Sequence, residues 1–202
     1  MSELIDRFVV IEGLDGAGTT TQARALAEAL GERERVYLTC EPTEGEIGRL
    51  IRRILHGEVP AEPRTVAHLY AADRTEHLYH GPDSVTARLE AEYLVICDRY
   101  LFSSLAYQSV HCGFDFVYRL NEPFPLPRYL FYLDIDPDLG EQRLSSREKR
   151  DIYERLAFQK EVKSFYERTL ELYSRSGIEI HRLDGSLPVE ELTESILRSL
   201  RL

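Results

Sequence analysis

Residues 8–22 read Phe8-Val9-Val10-Ile11-Glu12-Gly13-Leu14-Asp15-Gly16-Ala17-Gly18-Thr19-Thr20-Thr21-Gln22. Four consecutive apolar residues predict a buried strand, and the residues after Gly18 predict a helix. Gly13 and Gly18 have the spacing of a phosphate-binding loop, G-x-x-x-x-G-K-[ST], with Thr19 at the lysine position. Glycines let backbone N–H groups curl around phosphate oxygens, and the helix N-terminus adds its dipole. The Thr20 hydroxyl is a candidate Mg²⁺ ligand. The absent lysine removes the point charge that usually reaches the β- and γ-phosphates. A glycine-rich strand–helix turn also arises from packing alone, so other segments must decide.

Outward from this loop, apolar runs alternate with helical patterns. Arg35–Cys40, Tyr93–Cys97, Tyr129–Ile135 and Ile178–His181 predict four further strands. Helical patterns cover about residues 20–32, 45–57, 64–80, 101–112, 137–146, 152–175 and 188–200. Near-continuous apolar strands are typical of a parallel sheet covered on both faces. The predicted class is α/β: a doubly wound, five-stranded parallel sheet flanked by helices, in one domain over residues 1–202. Pro42, Pro60, Pro63, Pro82, the prolines of 123–127, Pro137 and Pro188 fall at expected element ends or in loops. Gly57 and Gly81 stand where left-handed helix caps are expected.

Composition narrows the function. The chain has 202 residues, and 25 Lys and Arg against 35 Asp and Glu give a net charge of −10. That balance argues against a bulk nucleic-acid or membrane-surface binder, but permits a local basic pocket for a small anion. Cys40, Cys97 and Cys112 are odd in number and far apart, so they form no disulfide framework. They are expected to pack inertly in a reducing cytoplasm. No apolar run approaches the roughly 18 residues of a membrane span, and no signal peptide is visible. The six histidines show no metal-ligand spacing.

The remaining chemistry gathers at predicted strand ends. The third strand ends in Asp98-Arg99-Tyr100, where a carboxylate can hold Mg²⁺ beside a phosphate loop. The second ends in Glu41-Pro42-Thr43. Tyr70-Ala71-Ala72-Asp73-Arg74 and Ser103-Ser104-Leu105-Ala106-Tyr107-Gln108 join small residues to planar or hydrogen-bonding ones. Such a mix admits a flat base, stacks on it and reads its edge. Singly, each segment is more often a packed helix face, and Asp98 a helix N-cap.

Together these blocks resemble the thymidylate kinase family, in its order and spacing, over about residues 8–190. The Asp98-Arg99-Tyr100 block with Ser103–Gln108 is the most specific part. The resemblance implies a P-loop NTPase fold, phosphoryl transfer from ATP to dTMP with Mg²⁺, and a homodimer. It implies that Gly13, Gly16, Ala17, Gly18, Thr19, Thr20 and Thr21 hold the ATP phosphates, and that Thr20 and Asp98 hold the metal. Arg143, Asp184 and Gly185 would border the adenine. Asp15, Glu41, Pro42, Tyr70, Arg74, Arg99, Ser103, Ser104, Tyr107 and Gln108 would form the dTMP site. There Tyr70 stacks on thymine, Arg74 donates to its carbonyl, and Ser104 faces its N3 side. Tyr107 and Gln108 would border the deoxyribose, and Glu12 is a weaker candidate for the sugar and phosphate side.

An arginine-bearing lid is expected at about residues 143–155. The sequence departs from the family at Thr19, at Cys40 (often arginine) and at Ile152 (often arginine in the lid). Arg150 first, then Arg147, are the expected replacements for the missing charge, with Arg99 and Asp15 completing the catalytic set. Two other readings stay open on the sequence: a catalytically weakened nucleotide-binding protein, and a deoxynucleoside kinase. Retained Thr20 and Asp98 weigh against the first. Arg99, a cation suited to an acceptor phosphate, weighs against the second.

Overall fold

Phe8, Val9, Val10 and Ile11 are fully buried because they lie in the central strand of the sheet, β1 (Leu4–Gly13). The structure, a computed structural model, describes residues 3–144 and 156–201. The other strands are β2 (Val36–Cys40), β3 (Leu94–Asp98), β4 (Leu126–Asp134) and β5 (Glu179–Asp184). The order is β2-β3-β1-β4-β5 with every pairing parallel. All carboxyl ends therefore lie at one edge, where open α/β sheets bind ligands. Register sets Ile11 and Cys40 beside Asp98, Gly13 beside Leu133, and Asp134 beside Asp184.

The described helices are α1 (Thr19–Leu30), α2 (Glu46–Leu55), α3 (Pro63–Tyr79), α4 (Val85–Glu90), α5 (Leu101–Tyr107), α6 (Ser109–Cys112), α7 (Phe114–Asn121), α8 (Pro137–Leu144), α9 (Leu156–Tyr173) and α10 (Val189–Ser199). α1 packs on α10, where Gln22 Nε2 donates to Thr193 Oγ1 at 2.7 Å. α5 packs on α9, and all seven residues of α5 are buried. Among the described residues no helix is long and apolar enough to cross a membrane.

The five strands and the α/β class match the expectation. The differences are local. The helix expected over 101–112 breaks after Tyr107 into α5 and α6. β4 starts at Leu126 rather than Tyr129, so Pro127 lies in the strand, opposite Ile5, instead of in a loop. Proline is tolerated there because it falls at the start of the strand, ahead of a register shift between Ile5 and Val9. β5 runs on to Asp184, half-buried as befits an edge strand. The short α4 and α7 were not expected. Gly57 and Gly81 do take positive φ, 74° and 77°. Of the expected lid, Arg143 and Leu144 are described, whereas Arg147, Arg150, Asp151 and Ile152 lie outside the described residues.

Candidate active site

The loop between β1 and α1 turns through two left-handed glycines, Gly16 at φ 83° and Gly18 at φ 89°. Gly16 is also a point of contact: a Cβ there would lie 2.5 Å from the Gly140 carbonyl oxygen of α8. The loop borders a cavity of about 250 Å³ lined by Gly16, Gly18, Thr19, Thr20, Thr21 and Arg143, among others. Gly13 and Ala17, also expected at the phosphates, are not among the residues bordering this cavity. A Cβ on Gly13 would meet that of Ala17 at 2.8 Å, and Ala17 itself is buried. Arg143 Nη1 donates to Gly16 O at 3.2 Å and Gly185 O at 3.0 Å, tying the loop to the turn after β5. Beside it, hydrogen bonds from Ser186 hold the Asp184 carboxyl below its usual range.

Strand β3 delivers the next group. Thr20 Oγ1 donates to Asp98 Oδ2 at 2.5 Å. Asp98 Oδ1 is buried with no hydrogen-bond partner among the described residues. A buried, unsatisfied carboxylate oxygen beside a hydroxyl is the donor set a hard divalent cation takes, so these residues fit Mg²⁺. No grouping of three or more His, Cys, Asp or Glu suited to a metal occurs among the described residues.

Arg99 follows at φ 68°, a left-handed backbone that turns its side chain across the sheet edge. Its Nη2 donates to Asp15 Oδ1 at 2.8 Å, and its Nη1 to Gly13 O at 2.9 Å and Ser103 Oγ at 3.2 Å. Gln159 of α9 donates to Asp15 Oδ2 at 2.8 Å and fixes the carboxylate from the other side. No sequence pattern points to Gln159, which is 144 positions from Asp15. Arg99 also lies 5.3 Å from the Tyr107 ring centroid. Burial, then the Asp15 charge, pushes the Tyr107 phenol well above its usual range.

Glu12 corrects the sequence expectation. It is fully buried and lines neither cavity. Its Oε1 accepts from the Tyr100 and Ser103 amides at 2.8 and 3.0 Å, its Oε2 from Ser103 Oγ at 2.5 Å and Tyr166 OH at 2.8 Å. Burial raises its carboxyl, against the Arg99 charge and these hydrogen bonds. Glu12 thus ties β1 to α5 and α9 beneath the site.

On the other side of Arg99 opens a larger cavity, about 490 Å³, bordered by Glu41, Pro42, Tyr70, Arg74, Tyr107 and Gln108 among others. Arg74 is wholly buried. Its Nε and Nη2 donate to Glu41 Oε2 at 2.9 and 2.6 Å, Nη2 also to Ser104 Oγ at 3.1 Å, and Nη1 to Asn121 Oδ1. His77 Nδ1 meets the other Glu41 oxygen at 3.0 Å. Two expectations change accordingly. Ser104 does not border the cavity, because its hydroxyl is turned to Arg74. Ser103 borders it, but its hydroxyl is held by Glu12.

The turn after β2 is fixed by residues that were given no role from sequence. Asp73 accepts from the Thr43 amide at 2.7 Å and hydroxyl at 2.6 Å, and Arg52 caps the Pro42 and Thr43 carbonyls. Cys40 lines the cavity rather than the core, while Cys97 is buried. Gln108 is buried against the cavity with Oε1 unpartnered among the described residues.

The two cavities meet at three residues, Asp15, Thr20 and Arg99, which line both. Comparison with known proteins addresses the chain as a whole. The family model described as thymidylate kinase matches residues 11–196. A Treponema pallidum protein is 38% identical over 203 residues, spanning 98% of this chain and 96% of its own. A Methanococcus aeolicus protein is 37% identical over 202 residues, spanning 97% and 96%. An Aeropyrum pernix protein is 38% identical over 182 residues, spanning 89% and 86%. All three carry thymidylate kinase in their names.

Proposed function

This chain belongs to the thymidylate kinase family, and from that premise we propose how its residues divide the reaction. The enzyme is a nucleoside monophosphate kinase that moves the terminal phosphoryl group of ATP to dTMP, giving ADP and dTDP. The observation that carries the division of labour is the shared wall of Asp15, Thr20 and Arg99 between the cavities. Phosphoryl transfer asks a protein chiefly for positioning and charge stabilisation at one junction.

The smaller cavity takes the ATP phosphates on the backbone of Gly16, Gly18 and Thr19–Thr21, with Arg143, Asp184 and Gly185 toward the adenine. The larger takes dTMP. Tyr70 stacks on the thymine, the open Oε1 of Gln108 accepts from the sugar, and Arg74 acts mainly by fixing Glu41 and the pocket floor. Arg99, oriented by Asp15 and Gln159, meets the acceptor phosphate and the transferred group. A phosphate monoester has its second pKa at about 6, so the attacking oxygen is already ionised at neutral pH and needs no general base. The bond from that oxygen to the γ-phosphorus forms as the bond to the β–γ bridging oxygen breaks, and ADP leaves. Thr20 and Asp98 would hold Mg²⁺, which would neutralise phosphate charge. Arg150, or secondarily Arg147, brings the charge that Thr19 lacks. The chain acts as one domain, a cytoplasmic homodimer, with no nucleic-acid or membrane partner.

An ADP-release assay with dTMP, dUMP, thymidine and no acceptor tests the assignment. Release should depend on dTMP and be absent with thymidine or without acceptor. Equal turnover of thymidine and dTMP, or release indifferent to acceptor, overturns it.

A further inference from the structure

We infer that Arg24 of α1 joins Arg99 in recognising the charge of the acceptor's phosphate in this chain. The inference rests on the dTMP kinase assignment and goes beyond it. Four arginines line the larger cavity: Arg24, Arg52, Arg74 and Arg99. Three of them are engaged by the protein itself. Arg74 is held by Glu41, Asn121 and Ser104. Arg52 is held by the Pro42 and Thr43 carbonyls and by Glu44 at 2.9 Å. Arg99 is held by Asp15, Gly13 and Ser103. Arg24 is the one of the four with no hydrogen bond or ion pair among the described residues. An unengaged guanidinium on the wall of a cavity that receives a dianion is available to that dianion without breaking an internal pair.

Helix geometry aims it correctly. Arg24 follows Thr20 by four residues and so shares its helix face, about 6 Å along the axis. Helical side chains lean toward the helix N-terminus. The Arg24 stem therefore runs back toward Thr20, one of the three residues at which the two cavities meet. The same cavity is also lined by the apolar or weakly polar Ala23, Leu38, Cys40 and Leu55. Apolar lining of this kind lowers the local dielectric and strengthens an ionic contact within the cavity. Cys40 contributes no charge at the place where the family resemblance leads one to expect an arginine. Arg24 thus brings from α1 the cation that β2 lacks, and it distinguishes a monophosphate from the bare nucleoside.

Calorimetric titration of wild type, Arg24→Gln and Arg24→Lys with dTMP and with thymidine tests this, alongside KM values for dTMP and ATP. Arg24→Gln should weaken dTMP binding roughly 10- to 100-fold, as for loss of a charged hydrogen bond. Thymidine affinity and the ATP KM should stay within about twofold, and Arg24→Lys should recover part of the loss. The inference is overturned if dTMP and thymidine weaken together, or if neither changes. Wild type that neither binds nor phosphorylates dTMP overturns the acceptor assignment itself, and this inference with it.

Discussion

At Arg74, four of the five guanidinium donors are already engaged by Glu41, Asn121 and Ser104. Removing one member of a buried ion pair leaves the other charge uncompensated, at about 3–5 kcal/mol. Arg74→Ala should therefore lower the denaturant midpoint of unfolding markedly, as well as raising the dTMP KM. Equilibrium unfolding in urea checks this, and an unchanged midpoint would show that Glu41 finds another partner. Asp98 has the opposite character, with one oxygen left open. Asp98→Asn should raise the Mg²⁺ concentration for half-maximal rate by about tenfold or more while leaving the fold intact, as a Mg²⁺ titration at saturating substrates would record. Thr19 brings no charge to the phosphates. Arg150→Ala should lower kcat by about 10³-fold with dTMP binding nearly unchanged, and Thr19→Lys should rescue part of that loss. If Thr19→Lys instead creates activity absent from the wild type, the compensation by the lid fails.

The phosphate loop and α8 are built against each other. A Cβ at Gly140 would lie 2.6 Å from the Asp15 carbonyl oxygen, and one at Gly16 2.5 Å from that of Gly140. Neither obstacle is a flexible side-chain end, so Gly140→Ala must push the loop. The expected result is a loss of about 1–3 kcal/mol in stability and a rise in the ATP KM that exceeds the rise for dTMP. Steady-state kinetics with each substrate varied would reveal it. This contact also marks the limit of what a sequence discloses. The glycine spacing, the apolar strands and the Asp98-Arg99 strand end were legible because each is a local pattern. Gly140 lies over a hundred residues from the loop that needs it, and Gln159 equally far from Asp15. α7 was missed because an eight-residue helix shows barely two turns of periodicity. Arg74 and Ser104 were picked out by type and position, but pairing with each other, which turns both inward, is a tertiary choice.

On the scale of the molecule, Glu12 joins the central strand to α5 and α9. Burial first, opposed by Arg99 and the hydrogen bonds, sets its carboxyl above the ordinary value of 4.5. A carboxyl raised by folding favours the protonated native state. Its contribution is fully present below pH 4.5 and is lost as pH rises through the folded-state value. Glu12→Gln removes that dependence, so wild-type stability relative to the variant should fall as pH rises above 4.5. Urea unfolding of both proteins across a pH series checks the sign, and a wild-type advantage that grows with pH contradicts it. The partition between the two cavities consists of three residues, Asp15, Thr20 and Arg99, each of which faces both sides. One molecule bearing thymidine at one end and adenosine at the other, joined by an oligophosphate tether, can therefore occupy both compartments at once. Its second half binds at an effective concentration near the millimolar range, which lifts affinity about 10²- to 10⁴-fold over either half alone. For such a two-ended inhibitor the tether length sets that gain: too short to cross the partition and it vanishes, longer than the span and it declines.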